Sequence, residues 1–422
     1  MIRLRRNNAA SVSNVFQFTL AGLIVFSITL IAAACFITVK LGAVNNNPRL
    51  AEVFAVDPSD KTRSVQSGPW GDLVMHDIEL KRPAEYMMGE VSDPQQEVWT
   101  FNGMKPDAVK ALFAKNGLSP SMVALAFAPG CFNETGSGTE LRPSEAFLLS
   151  LGCATRRKLY IPLAGLGVNN YFDFPLVFPG NEIETIEDDN SLNPDDLALF
   201  KQLVYSNGSA KQFSDYPFLL KKIPTLERRI AMSQSLSRQS AVIAGLSIHP
   251  DTDIDKIAGY WGKMPNVRFT DIRPMMEALK ALPQGGFLNL VYLMPKFARD
   301  RLYTFPMPPM PGDPQMDCYW STLNFASDTP DDRFSIPDFD LQFIKKNYSV
   351  IGAPSQYGDI ILVMNDRWEA RHSAVYLAAD LVFTKNGNNY RQPWMLMRIP
   401  DLLATFSAKS PMHAVYMRRK TE

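Results

Sequence analysis

A cysteine and a histidine in the last third of the chain are the residue types that nucleophilic catalysis by a thiol requires. Cys318 stands in "DCYWSTLNFAS", and His372, one of four histidines, lies near the start of "RHSAVYLAADLVFTKNG". A histidine that reaches a thiol takes its proton and stabilises the thiolate, which is the nucleophilic form. The spacing of 54 residues permits such a pair without proving it. A core cysteine and a strand histidine without chemistry are the alternative.

The elements around these two residues would have to hold them together. The residues after Cys318 predict a short helix, and the dipole at a helix N-terminus favours a thiolate. "YGDIILVMND" predicts a buried strand, and "HSAVYLAADLVF" predicts two strands joined by a tight turn around Ala379 and Asp380,. A helix followed by an antiparallel sheet is therefore expected, with His372 on a strand that faces the helix.

The motifs "DCYW", "GDIILV" and "RHSAVYLAADLVF" resemble the NlpC/P60 superfamily of papain-like cysteine peptidases and amidases. The resemblance covers residues 295–422 and implies a papain-like α+β domain. It implies that Cys318 is the nucleophile, that His372 is the base and that Tyr303 is the upstream tyrosine that helps to bind the oxyanion. The whole chain also resembles a family of uncharacterised bacterial proteins that share "YWG", "FARDRLYTFP", "DCYWSTLNF" and "VFTKNG", but that family supplies no known reaction.

The third polar residue of the superfamily, which orients the imidazole, is histidine, asparagine or glutamine on the next strand. Direct counting reaches Thr384, and threonine is a poor orienter of imidazole. Strand alternation puts Val382, Thr384 and Asn386 on one face, so Asn386 is the better chemical candidate if the strand is slightly offset. Lys385 is expected to point the other way, and a cation beside imidazole would lower its pKa.

The expected reaction is cleavage of an amide by the Cys318 thiolate, with His372 protonating the leaving amine and water resolving the thioester. By resemblance, the substrate would be a peptide of cell-wall peptidoglycan or another amide in the cell envelope. No metal and no organic cofactor are implied. An inactive scaffold or binding module with this fold, and a thiol acyltransferase, remain as alternatives.

Composition and patterning set the outline of the rest of the chain. With 422 residues, 46% of them hydrophobic, two folded units are expected,. Lys plus Arg equals Asp plus Glu at 43 each, so no overall charge would recruit nucleic acid,. Residues 73–294 predict a mixed, mainly helical α/β domain of unknown role, with helix openings at Ser119-Pro120, Arg142-Pro143 and Asn193-Pro194 and short strands such as "KLYIPLAGL",. Residues 295–422 predict the papain-like domain, whose first part is rich in proline.

The N-terminal segment predicts a membrane anchor. Residues 18–39 contain no charge over 22 positions, enough to cross a hydrocarbon core of about 30 Å. A basic leader at residues 1–17 precedes this span, and residues 40–72 form a tether. These features predict a single-pass protein of the bacterial inner membrane with its C-terminal domains in the periplasm, although a cleaved signal peptide is the rival interpretation. That space is oxidising, so a structural disulfide between Cys131 and Cys153 is compatible with it, and the sequence does not decide whether the two are bridged.

Overall fold

The structure, a computed structural model, describes residues 63–420 apart from residues 174, 179–181, 209, 265, 266, 268, 308, 309, 311, 337, 388, 389 and 408–410. The described residues contain 16 α-helices and several antiparallel sheets, so the fold is mixed α+β.

The helices are short and distributed along the whole of this part of the chain. In order they are α1 (Ala84–Val91), α2 (Pro106–Lys115), α3 (Pro120–Ala126), α4 (Glu145–Ser150), α5 (Cys153–Ala164), α6 (Asn170–Asp173), α7 (Glu182–Glu187), α8 (Pro194–Leu203), α9 (Tyr216–Lys222), α10 (Leu226–Leu236), α11 (Ile254–Trp261), α12 (Phe269–Lys280), α13 (Lys296–Arg301), α14 (Cys318–Leu323), α15 (Phe339–Asn347) and α16 (Ile399–Phe406). Two 3₁₀ turns cover Leu290–Leu293 and Asp332–Ser335.

The strands form four sheets in which every neighbouring pair is antiparallel. They are β1 (Arg63–Gly68), β2 (Gly71–Leu80), β3 (Trp99–Asn102), β4 (Phe132–Thr135), β5 (Gly138–Leu141), β6 (Leu176–Phe178), β7 (Tyr205–Asn207), β8 (Ala210–Phe213), β9 (Gln239–Ile248), β10 (Gly286–Asn289), β11 (Tyr348–Ile351), β12 (Ile360–Asn365), β13 (Ala370–Ala378), β14 (Leu381–Lys385), β15 (Trp394–Arg398) and β16 (Met412–Arg419). The sheet orders are β1-β2-β9-β10, β3-β5-β4, β6-β8-β7 and β11-β16-β12-β13-β14-β15.

The six-stranded sheet carries the histidine and receives the helix that begins at Cys318. Strands β12, β13 and β14 follow the order predicted from the sequence, and the turn between β13 and β14 is tight. In this turn Ala379 has a positive φ of 56°, and the Asp380 carbonyl accepts a hydrogen bond from Ile399 N–H at 2.7 Å. The turn sets the register in which Val375 lies opposite Phe383.

One hydrophobic core includes residues from both sides of residue 295. It joins buried side chains of β9 and α11 to those of α14 and strands β13 to β15, and β15 lies against β9. Hydrogen bonds from buried tyrosines also join residues on the two sides of position 295. The Tyr260 hydroxyl donates to the Leu377 carbonyl at 2.6 Å, and the Tyr357 hydroxyl donates to the Leu293 carbonyl at 3.0 Å. The division into domains at 73–294 and 295–422 remains a prediction.

Two of the predicted helix openings are confirmed. Helix α3 begins at Pro120 behind the cap Ser119, and α8 begins at Pro194 behind Asn193. The third opening lies two residues later than Arg142, because the Ser144 hydroxyl caps α4 by accepting from a backbone N–H,.

The strand predicted in "KLYIPLAGL" is wrong, since these residues belong mostly to helix α5. Arg156, Leu159, Tyr160 and Leu163 are buried, and their spacing of three and four residues places them on one helical face. Pro162 stands in the last turn of the helix.

The predicted fold class included a transmembrane helix, and this part is corrected together with the single-pass inner-membrane localisation. No helix among the described residues combines the length and the apolar character that crossing a membrane requires. The longest of them, α5 and α12, have 12 residues each and extend about 18 Å, less than the roughly 30 Å of a hydrocarbon core. The segment 18–39, for which the span was predicted, lies outside the described residues.

Cys131 and Cys153 form no disulfide among the described residues. Cys131 is half-buried, Cys153 is exposed, and both are free thiols, as is Cys318. The Cys153 sulfur instead accepts a hydrogen bond from the Ser206 N–H at 3.3 Å.

Candidate active site

Cys318 occupies the first position of helix α14, where the sequence predicts a helix to begin. Asp317 caps this helix, because its Oδ1 accepts a hydrogen bond from the Trp320 N–H at 2.8 Å,. The Trp320 ring packs against Phe297 with centroids 5.1 Å apart, and its Nε1 donates to Asp332 at 3.1 Å. The cap and the buried indole together fix the position of the thiol.

The Cys318 thiol lies in the interior, with 6% of the residue exposed. Burial and the adjacent Asp317 carboxylate raise the pKa of the thiol to about 12, although hydrogen bonding to the backbone and side chain of Ser373 and the charge of Lys385 act in the opposite direction,. The Ser373 hydroxyl also donates to Thr322 Oγ1 at 3.0 Å. In this arrangement the sulfur retains its proton at neutral pH.

His372 lies on β13, opposite Val363 of β12, and is fully buried. Its Nε2 is 2.6 Å from Thr384 Oγ1, and this hydroxyl donates to Asn386 Oδ1 at 3.2 Å. Because a threonine hydroxyl has one proton to donate, its oxygen accepts from the Nε2–H of His372. The lone pair of the neutral imidazole is therefore on Nδ1, which has no hydrogen-bond partner.

The imidazole is held neutral by its surroundings. Burial, and then the charge of Lys385, lower the pKa of His372 to about 3,. On one side the ring stacks on Phe406 of α16, with centroids 4.4 Å apart and planes inclined by 23°. The imidazole is therefore neutral at physiological pH, but a pKa of about 3 makes it a weak base,.

Both candidates for the orienting residue lie in one chain of polar groups. Thr384, which direct counting reaches, is the side chain that contacts the imidazole. Asn386, the residue favoured on chemical grounds, lies behind it and fixes the direction of the hydroxyl, while its own Nδ2 lies 3.1 Å from Met397 Sδ.

No hydrogen bond joins Cys318 to His372 in the part of the chain that the structure describes, because Nε2 is bonded to Thr384 and Nδ1 has no partner. Ser373, the residue after His372, hydrogen-bonds to the thiol. Successive side chains of a strand point to opposite faces, so the Ser373 hydroxyl faces helix α14 while the His372 ring leaves the other face. Cys318 and His372 therefore lie on opposite faces of β13, and the structure does not bring the thiol and the imidazole into contact.

Tyr303 has its hydroxyl proton committed elsewhere. Its backbone has a positive φ of 61°, its N–H donates to the Trp394 carbonyl at 2.7 Å, and its hydroxyl donates to the Val242 carbonyl, also at 2.7 Å. Burial raises the pKa of this phenol. A role for Tyr303 in binding an oxyanion would require the bond to Val242 to break first.

The sequence did not assign a role to Lys385, which the structure places beside the thiol. Only 1% of this residue is exposed, and its Nζ donates to the Gly387 carbonyl at 3.1 Å. Burial lowers the pKa of Lys385 to about 8, while Cys318 and Asp317 act to raise it. Strand alternation, which puts Lys385 on the face opposite to Thr384, is the signal that predicts its side.

Two surface cavities lie elsewhere, and neither is lined by Cys318 or His372. One, of about 700 Å³, lies between α2 and α3, and the other, of about 450 Å³, lies near Asp72 and Asp253. Among the described residues, no three His, Cys, Asp or Glu side chains are grouped closely enough to hold a metal ion.

Comparison with protein-family models, with curated proteins and with solved structures finds no match to this chain.

Proposed function

We propose that the protein is a cysteine hydrolase that cleaves an amide with Cys318 as nucleophile and His372 as base. The observation that carries this proposal is the buried Nδ1 of His372, which has no partner while Nε2 is held by Thr384. A buried polar atom without a hydrogen bond costs about 1–3 kcal/mol. A ring held in one tautomer, with its basic nitrogen unoccupied, can accept a proton, but its burial must first be relieved because a base with a pKa of about 3 is too weak to deprotonate a thiol,.

The reaction follows from these groups. The thiol proton of Cys318 passes to His372 Nδ1, and the thiolate attacks the carbonyl carbon of the amide. The proton on Nδ1 then goes to the leaving nitrogen, so that an amine departs and a thioester remains. Water hydrolyses the thioester with the imidazole again acting as base. The resemblance to NlpC/P60 enzymes supports a peptide of peptidoglycan as the substrate, and an amine in place of water would make the reaction an acyl transfer.

Turnover requires two changes from the described arrangement. The thiol must become accessible, since 6% of Cys318 is exposed. The start of β13 must also rearrange, because His372 has to leave the face on which it contacts Phe406 and reach the face that helix α14 covers before Nδ1 can approach the sulfur,.

The test is alkylation of the full chain with iodoacetamide across pH, with each cysteine followed separately by peptide mass spectrometry. We expect the Cys318 rate to have a pH profile displaced from that of exposed Cys153, and His372→Ala to shift the Cys318 profile alone. Digestion of peptidoglycan peptides, measured by the release of new amino groups, should be lost in Cys318→Ala. An ordinary thiol profile for Cys318 that His372→Ala leaves unchanged would contradict the proposal.

A binding module without turnover is the second candidate, and it is favoured by the thiol pKa of about 12 together with the missing bond between Cys318 and His372. This function predicts that the Cys318→Ala protein binds peptidoglycan peptides as tightly as the native protein does. It also predicts that neither protein releases amino groups.

A further inference from the structure

We propose that Lys385 is the electrostatic partner of Cys318: its ammonium group stabilises the thiolate and leaves His372 to act as a neutral base. This inference rests on the proposed function. In this assignment Cys318 is a thiolate, Lys385 is an ammonium cation and His372 is neutral. In a thiolate and imidazolium pair, the histidine would carry the positive charge instead.

The pairing of strands brings Lys385 to the thiol side of the sheet. Val375 lies opposite Phe383, and continuing this register by two residues sets Ser373 opposite Lys385. Residues opposite one another in an antiparallel pair point to the same face. Ser373 hydrogen-bonds to the Cys318 thiol, so Lys385 lies on the face that helix α14 covers.

Trp394 covers the Lys385 ammonium group from the neighbouring strand β15. It lies opposite Lys385 in the pairing of β14 with β15, and its ring centroid is 5.8 Å from Lys385 Nζ. The indole Nε1 donates to the hydroxyl of Ser321 on α14 at 2.9 Å. The sheet, the helix and the indole thus keep water from the ammonium group, and charges interact more strongly where water is excluded.

Among the described residues, charged and titratable groups on α14 and β13 interact with Lys385. Cys318 and Asp317 on the α14 side raise its pKa, and Lys385 in turn lowers the pKa of His372 on β13. Asp340 of α15 raises the pKa of Asp317. Asp317 is the competing partner, because a buried lysine also neutralises a capping carboxylate.

The pKa of about 8 for Lys385 sets the pH range of the effect. Below pH 8 the ammonium group is charged, so it stabilises the thiolate that forms when Cys318 gives up its proton, and its charge opposes protonation of His372. Above pH 8 the lysine becomes neutral and the stabilisation of the thiolate is lost.

The experiment is the same peptide-resolved alkylation, applied to Lys385→Met and Lys385→Arg in the full chain. We expect Lys385→Met to lower the rate of Cys318 alkylation at pH 7 by about 10- to 1,000-fold, which corresponds to a change of 1–3 units in the acidity of the thiol, and Lys385→Arg, which keeps the charge, to react at pH 7 at a rate close to the native one. The profile of Cys153 should be the same in all three proteins.

The outcomes separate this inference from the function on which it rests. If Lys385→Met leaves the Cys318 profile unchanged while His372→Ala shifts it, the role of Lys385 is refuted and the hydrolase proposal stands. If neither change shifts the profile, both are refuted.

A second comparison covers the case in which Lys385→Met alone does not fold, which circular dichroism would show. In an Asp317→Asn background the capping carboxylate no longer needs a counter-ion. There the Lys385→Met change should still lower the rate of Cys318 alkylation at pH 7. Equal profiles for Asp317→Asn with and without Lys385→Met would mean that Lys385 serves only the cap.

Discussion

At His372, a threonine hydroxyl takes the place that a charged or amide group more often fills beside a catalytic imidazole. A hydroxyl both donates and accepts, so it orients a ring only if something else fixes its direction. Asn386 Oδ1 does so by accepting the Thr384 proton at 3.2 Å. The orienting function is therefore divided between two residues, each of which is inadequate alone.

Replacing Thr384 with valine tests the contribution of the hydroxyl separately from that of the side-chain shape. Thr384→Val keeps the shape but leaves the Nε2–H of His372 buried without an acceptor, so we expect a loss of about 1–3 kcal/mol in the free energy of unfolding. The change should also reduce the effect of His372 on Cys318 alkylation, because the tautomer is no longer fixed. Urea unfolding and the alkylation profile measure the two effects.

Thr384→Ser is the matched control, since it keeps the hydroxyl and removes one methyl group. We expect it to preserve the alkylation profile. Equal profiles for Thr384→Val and the native protein would mean that the hydroxyl does not orient the ring.

Residue positions in this site were predictable where strand periodicity decides them. Counting along the chain reached Thr384, and alternation separated it from Lys385. The sequence did not reveal that Lys385 is buried beside the sulfur, because that depends on where helix α14 packs. It also did not reveal the bond from Tyr303 to the Val242 carbonyl, since 61 residues separate the two.

Helix α14 has only six residues, so its start depends on its cap more than on helical propensity. The Asp317 carboxylate has two opposing effects: it accepts the Trp320 N–H, and its charge raises the pKa of the neighbouring thiol. A capping residue that keeps the acceptor but lacks the charge would separate these effects.

Asp317→Asn and Asp317→Ala make this comparison. Asp317→Ala removes the acceptor and should cost about 1 kcal/mol in the free energy of unfolding, whereas asparagine is as good a cap as aspartate and should cost little. Both changes remove the charge, so both should lower the apparent pKa of Cys318 alkylation. If the two variants unfold at the same urea concentration, Asp317 does not stabilise the helix as a cap.

Helices were predicted correctly where capping signals in the neighbouring residues agree. They were predicted incorrectly where a residue distant in the sequence determines the packing. The caps Ser119 and Asn193, each followed by proline, predicted helix starts that the structure confirms. Helix α5 was misassigned because its face is built around a buried ion pair between Arg156 and Asp215, and Asp215 lies 59 residues away. Nothing in "KLYIPLAGL" itself indicates that partner.

Across the whole molecule, buried carboxyl groups give stability a dependence on pH. Glu97 is buried and accepts hydrogen bonds from Trp99 Nε1 at 3.1 Å and from Phe218 N–H at 3.4 Å. Burial, and then the nearby Asp215, raise the pKa of Glu97 well above its ordinary value of 4.5. The folded state therefore keeps a proton that the unfolded state loses above pH 4.5, so this group makes stability fall as pH rises.

Glu97→Gln should remove this contribution. Between pH 5 and 7 we expect the fall in the free energy of unfolding to become shallower by up to about 1.4 kcal/mol per pH unit, the slope for one proton. Urea unfolding at several pH values measures it. An unchanged slope would mean that Glu97 is ionised in the folded protein.

Glu90 provides a control of opposite sign. Burial alone would raise its pKa, but Arg391, Arg82 and Tyr390 outweigh burial and lower it below 4.5. Its contribution is present above pH 4.5 and is lost as pH falls through the lowered pKa. Glu90→Gln should thus flatten the acid side of the curve and leave the slope between pH 5 and 7 as it is in the native protein.

The tight turn at Ala379 has a consequence for how the site could change in evolution. One residue more in that turn would move β14 by one position against β13, and each side chain after the turn would exchange faces. The lysine would then meet the imidazole, and the threonine would meet the thiol. Insertion of one codon would thus exchange the side chains beside the thiol and the imidazole without substituting either residue, because the length of this turn determines which side chain lies on which face of the sheet.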